Sequence, residues 1–267
     1  MQRSESDPLC VKAKRCVVII PSYNSGAKLI ETVVRACDQW ASVWVVLDGS
    51  TDGSESSLAD LHMEKRGLRV IVRACNGGKG AAVLDALRLA ELEGYEYGLV
   101  LDADGQHPVE KIPAFFHLAL QRTHSLILGV PIFGPEAPLL RIYGRLFGNT
   151  FAEIETLGGG IRDSLFGFRV YPVQLSLRIM EAITSGRGFD FDTVLAVRLL
   201  WVGAHPVNVP VPVVYFPKDR GGVSHFRYMK DNWLLIRRHV ALLAEMIPRF
   251  PRLLLWRFGT MRGHICP

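Results

Sequence analysis

The sequence predicts an α/β architecture: a mostly parallel central sheet with helices on both faces, followed by amphipathic C-terminal helices. Three observations carry this. Short β-branched runs alternate with stretches of helical apolar spacing through the first half of the chain. Polar, often glycine-rich segments directly follow four of those runs, as loops do at the carboxyl ends of parallel strands. The chain has 267 residues, 49% hydrophobic and 21% charged, which supplies a sizeable core and argues against wholesale disorder.

The elements follow in order. Residues 16–20 form an apolar run that ends at Pro21 and reads as a buried strand. Residues 27–40 carry Leu29, Val33, Val34 and Cys37 at helical spacing. Residues 43–47 are a second strand, and Asp48-Gly49-Ser50-Thr51-Asp52-Gly53 is turn chemistry. A polar helix near 55–65, a strand at 68–72, a glycine turn and a helix at 81–93 come next. Residues 97–101 and 126–130 are the fourth and fifth strands. Beyond residue 130 the rhythm breaks. Residues 139–157, 193–201 and 228–246 read as helices, and 165–171 and 207–216 as extended chain. No linker is visible between two independent domains, so residues 1–230 read as one domain and 231–267 as a basic helical appendage.

The net charge of +5 is unevenly placed. Residues 218–267 hold ten Lys/Arg against three Asp/Glu, a net of +7, which leaves −2 for the remainder. A basic end on a near-neutral body suggests an anionic partner. Its basic residues alternate with Leu, Trp, Phe and Ile, which favours a lipid surface over nucleic acid; the plainer alternative is a solvated helix face. Residues 231–247 combine a narrow polar stripe with a wide apolar face, the pattern of an in-plane membrane anchor or of a helix packed on the domain core or on a dimer partner. The five cysteines are odd in number and scattered, against a disulfide framework or a zinc site. The N-terminal residues lack an apolar signal core, and no run of about 18 apolar residues predicts a spanning helix. The expected location is cytoplasmic, peripheral at the inner face of a membrane.

The chemistry concentrates in Leu101-Asp102-Ala103-Asp104-Gly105-Gln106-His107-Pro108. Two carboxylates one residue apart, just after a buried strand, can converge on one hard cation, with Gln106 adding a neutral oxygen. A divalent ion there, Mg²⁺ or Mn²⁺, can neutralise a departing diphosphate. The alternative is a turn whose aspartates only hydrogen-bond backbone.

That segment is the last of four. It follows Val17-Val18-Ile19-Ile20-Pro21-Ser22-Tyr23-Asn24, Val45-Val46-Leu47-Asp48-Gly49-Ser50, and Asn76-Gly77-Gly78-Lys79-Gly80. In this order they resemble the family 2 glycosyltransferases, nearest to the polyprenol- and dolichol-phosphate sugar transferase branch. The resemblance spans roughly residues 16–230. It implies the Rossmann-like fold called GT-A, a nucleotide-sugar donor, a lipid or glycan acceptor, a divalent metal and an inverting displacement. By the same resemblance Pro21 and Tyr23 line the base and ribose pocket, Asp48 contacts the nucleoside, and Lys79 approaches the donor. Each has a plainer alternative: a strand breaker, a core aromatic and a solvated lysine for Pro21, Tyr23 and Lys79. Asp102, Asp104 and Gln106 match the metal and diphosphate site. Asp52 reads instead as a helix cap. One departure stands out: the family usually has two acidic residues before Gly-Ser, and this chain has Leu47-Asp48, which puts the base preference in doubt.

Downstream, Arg169 in Ser164-Leu165-Phe166-Gly167-Phe168-Arg169 resembles the family's acceptor-side arginine, suited to a bidentate grip on phosphate. Its alternative is an ion pair with Asp163. Asp192 matches the position of a catalytic base; an aspartate just before a helix is equally a good N-cap, and Asp190 can serve either role. Arg220 and His225 lie in a basic loop that matches a family element able to close over a diphosphate. Two other readings remain. A nucleotidyltransferase would need a glycine- and lysine-rich loop after the first strand, where Pro21-Ser22-Tyr23-Asn24 stands. A catalytically inactive nucleotide- or lipid-binding scaffold is favoured only by Leu47.

Overall fold

The computed structural model describes residues 15–65, 67–134, 139–213 and 228–257. Seven strands form one sheet: β1 (Cys16–Ser22), β2 (Val43–Asp48), β3 (Leu68–Arg73), β4 (Tyr97–Val100), β5 (Ser125–Ile132), β6 (Arg169–Pro172) and β7 (His205–Pro212). Their order is β3-β2-β1-β4-β6-β5-β7. Neighbours are parallel except β6, which runs antiparallel to both β4 and β5. The helices are α1 (Ala27–Gln39), α2 (Ser54–Glu64), α3 (Lys79–Leu92), α4 (Ile112–Ala119), α5 (Leu139–Glu155), α6 (Val173–Ala182), α7 (Phe191–Trp201), α8 (Tyr228–Met246) and α9 (Phe250–Arg257).

Both faces of the sheet are covered, which explains why its strands read as unbroken apolar runs. Side chains alternate along a strand. Val17 and Ile19 of β1 join one core with residues of α3, α6 and α7. Val18 and Ile20 join the opposite core with residues of α1 and α4. Leu47 belongs to this second core at 1% exposure, a place where an unpaired carboxylate would be costly. The expected mostly parallel α/β sheet is present.

Pro21 does not break β1. Pairing with β4 ends at Ile19↔Val100, whereas pairing with β2 continues to Ser22↔Leu47. The proline therefore stands where β1 has one ladder neighbour, and it is buried. One expectation about the second half needs correction. Residues 165–168 are not strand; they turn on Asp163, whose Oδ1 accepts the N–H groups of Leu165 and Phe166. Helices α4 and α6 add to the elements expected from the sequence. The boundary after residue 230 falls inside α8, and Leu242 of α8 and Leu253 of α9 complete the core on the α7 face. The C-terminal helices are thus packed on the domain rather than appended to it.

Candidate active site

Parallel pairing of β1 to β4 brings the segments after these strands to one edge, and the antiparallel β6 starts at that edge. Val100 pairs with Arg169, so Gly167 arrives beside Asp102. A β-carbon on Gly167 would stand 2.6 Å from both Asp102 Oδ2 and Lys79 Nζ. Lys79, the first residue of α3, extends to this point and bridges two carboxylates: Asp102 Oδ1 at 2.7 Å and Asp192 Oδ2 at 2.6 Å. Its side chain is 12% exposed, which removes the alternative of a solvated lysine. Burial disfavours its charge, but Asp102 and Asp192 outweigh that and hold the ammonium above its ordinary range. Burial likewise raises the Asp102 carboxyl, yet Lys79 and His107 bring it down to about 2. Asp104 is pushed the other way, first by burial and then by the Asp102 charge.

His107 sets the Asp102 geometry. The Asp102 N–H donates to His107 Nδ1 at 3.0 Å, and Nε2 lies 3.6 Å from Asp102 Oδ2. A ring accepting at Nδ1 carries its proton on Nε2, facing the carboxylate. Burial lowers its pKa against the pull of both aspartates. Phe166 and Phe168 pack edge-on against the ring, with centroids 4.7 and 5.6 Å away. At the far end of the chain of charges, Asp192 Oδ1 accepts the Tyr171 hydroxyl at 2.9 Å, and the residue is 4% exposed. Both Asp192 oxygens are therefore engaged.

The glycine loop before Lys79 is held from below by Asp48. Its carboxylate accepts the Gly77 and Gly78 N–H groups and pairs with Arg73, and the residue is 3% exposed. Gly49 permits the close approach of this loop: at φ +68, a β-carbon there would meet Asn76 N at 2.5 Å. The loops after β1 and β2 are stitched together, Thr51 N–H to Asn24 Oδ1 at 2.7 Å and Gly26 N–H to Asp52 Oδ2 at 2.8 Å.

Residues 17–178 match the profile of Glycosyl transferase family 2. The chain belongs to this family. It is 30% identical over 234 residues to polyprenol monophosphomannose synthase of Mycolicibacterium smegmatis, covering 84% of this chain and 85% of that protein. It is also 30% identical over 209 residues to undecaprenyl-phosphate mannosyltransferase of Micrococcus luteus, covering 75% and 84% respectively. In fold it is similar to the mannosyltransferase PcManGT of Pyrobaculum calidifontis, solved in complex with GDP-Man and Mn²⁺. The TM-score is 0.57 and the identity 21%, covering 90% of this chain and 68% of that one. The chain is a glycosyltransferase of GT-A architecture.

The glycosyltransferase uses several predicted residues differently from the sequence expectation. Arg169 does not reach a cleft. It is 0% exposed, and its guanidinium donates to the carbonyls of Phe166, Asp192 and Asp163 at 2.7, 2.5 and 2.9 Å. Nor does it pair with the Asp163 carboxylate, which Arg145 binds at 2.8 Å. Asp48, expected at the nucleoside, supports the glycine loop. Asp192 is not an N-cap but the second residue of α7; Asp190 takes the cap position and accepts the Gly186 and Gly188 N–H groups. Asp52 does serve its turn, accepting the Ser54 N–H. Tyr23 is 41% exposed at the edge where β1 ends. Gln106 donates its backbone N–H to Asp104 Oδ1 at 3.0 Å. Arg220 and His225 lie outside the described residues. Sequence reasoning missed His107, Gly167 and Tyr171 as parts of the site. His107 had a signal: it directly follows the paired aspartates at the end of a strand.

Proposed function

We propose that this glycosyltransferase moves a sugar, with mannose the first candidate, from a nucleoside diphosphate to the phosphate of a polyprenyl lipid at a membrane surface. The observation that carries the reading is the charge chain Asp104, Asp102, Lys79, Asp192 at the carboxyl edge of the sheet. The names of the two curated relatives support both the sugar and the acceptor.

Asp102 and Asp104 fit a hard divalent ion. Both offer carboxylate oxygens, and no group of three or more His, Cys, Asp or Glu side chains suited to a metal occurs among the described residues. A two-carboxylate seat leaves the remaining coordination to water and substrate phosphate, the usual mode of Mg²⁺ binding. Such an ion supplies positive charge to the departing nucleoside diphosphate. Lys79 spends two N–H donors on carboxylates and keeps a third for a donor phosphate. His107 accepts the Asp102 backbone N–H and so holds the main chain that carries this carboxylate. Pro21 and Tyr23 border the proposed nucleoside pocket, and Arg220 and His225 are proposed to close on the diphosphate. The acceptor oxygen bonds to the anomeric carbon as its bond to the diphosphate oxygen breaks, with inversion. A hydroxyl acceptor would need a base, and both oxygens of Asp192 are engaged. A lipid phosphate, with a second pKa of about 6, attacks as an anion and needs none.

The test supplies labelled GDP-mannose and other sugar nucleotides with polyprenyl phosphate or polyprenol, with Mn²⁺, Mg²⁺ or chelator. Label should enter the lipid phosphate only with metal. Absence of transfer from every sugar nucleotide, or transfer to the alcohol alone, would overturn the reading.

A further inference from the structure

A second site is built where α7 ends. Between α6, α7 and the C-terminal helices lies a cavity of about 260 Å³. It shares no residue with the charge chain of the active site. Arg198 lines it, six residues beyond Asp192, or about 9 Å along the helix axis. Arg198 is 7% exposed. Its Nε and Nη2 donate to Glu245 at 3.2 and 2.5 Å. Its Nη1 is buried with no hydrogen-bond partner among the described residues. A buried guanidinium N–H without an acceptor is costly, so Arg198 carries hydrogen-bonding capacity beyond its pair with Glu245 in the wall of this cavity.

Two further arginines line the same cavity. Arg249 lies over the Trp201 ring at 5.1 Å, and Arg252 is exposed at the rim. Against these three cations the lining holds one carboxylate, Glu245, which leaves a formal excess of two positive charges. The remaining wall is apolar, with Ile179 and Leu253 among its residues. Ile247 and Phe250, on the segment that carries Arg249, are 71% and 40% exposed. Guanidinium groups match phosphate oxygens in pairs. The surroundings match an apolar body.

We propose that this cavity binds the phosphate group of an acidic amphiphile such as a membrane phospholipid, at a place separate from the sugar-transfer site. The proposal uses no residue of the transfer mechanism and does not depend on it.

The full chain is titrated with dihexanoyl phosphatidic acid below its micelle concentration, with dihexanoylglycerol and with inorganic phosphate, following the heat of binding and the summed fluorescence of its five tryptophans, of which Trp201 lines the cavity. Saturable binding of the phosphatidic acid is expected, with much weaker binding of the other two probes. Arg198→Gln should weaken it by about tenfold or more, the worth of one lost charge-assisted hydrogen bond. Because Arg198 also holds Glu245, two exposed-position variants accompany it: Arg252→Glu removes a rim cation, and Ala182→Trp fills the cavity. Both should weaken binding with an unchanged melting temperature. The proposal falls if phosphatidic acid does not saturate, if either control probe binds as tightly, or if all three variants bind like the wild type.

Discussion

Gly167 carries no side chain because a methyl group there would press on the two groups that define the site, Asp102 Oδ2 and Lys79 Nζ, each 2.6 Å away. Both are ends of flexible side chains, so an added methyl displaces them rather than the backbone. Gly167→Ala should therefore leave the melting temperature within a few degrees while cutting kcat at least about tenfold, since small misplacements of catalytic groups cost that much. A comparable fall in stability would place the glycine's role in the fold instead. Asp102 gives a second prediction at this scale. Its folded pKa of about 2 lies below the ordinary 3.8, so the stability it contributes is present above pH 3.8 and is lost as pH falls through about 2. In chelator, the melting-temperature deficit of Asp102→Asn relative to wild type should close across that window. A deficit that stays constant down to pH 2 would mean that the Lys79 pair contributes nothing.

Among the elements, the glycine loop before α3 shows how a buried carboxylate shapes a turn. Asp48 satisfies two backbone donors and one arginine at 3% exposure. Asp48→Ala leaves those donors unpaired and should cost about 3 kcal/mol, the order expected when one partner of a buried ion pair is removed. Denaturant unfolding measures the stability loss, and activity should fall with it because Lys79 directly follows this loop. The sheet strands and the edge holding the site were legible because both depend on local patterns: apolar runs, and polar residues directly after them. Arg169 was not legible as a structural residue. Its three carbonyl partners belong to residues 163, 166 and 192, and only the antiparallel entry of β6 brings them together. Tyr171 and Asp192 meet for the same reason, across twenty-one residues. Helix α4 escaped notice because Pro113 stands inside its first turn, where a proline is tolerated but reads as a breaker.

On the scale of the whole molecule, the described part of the basic C-terminal end is helices α8 and α9. Helix α8 is fixed to the domain by ion pairs of Arg238 with Asp190 at 2.6 Å and of Glu245 with Arg198 at 2.5 Å, and by His239 against buried Glu155 at 2.8 Å. Its outward side carries exposed apolar side chains around Arg237: Trp233 and Val240, seven residues apart and so on one face, are 62% and 61% exposed. Helix α5, packed on α8, adds Leu146 at 62% and Phe147 at 49%. No helix among the described residues is long and apolar enough to cross a membrane. Side chains of this kind beside a net charge of +7 over residues 218–267 suit a helix lying in the headgroup region of an anionic layer. The full chain should float with vesicles containing phosphatidylglycerol, less so at high salt, and weakly with phosphatidylcholine alone. Burying one large apolar side chain contributes about 1.5–3 kcal/mol, so the double variant Trp233→Asp, Val240→Asp should reduce the bound fraction by well over tenfold. Both positions are exposed, so the melting temperature should hold. Flotation equal to that of the unaltered chain would show that this face does not meet lipid.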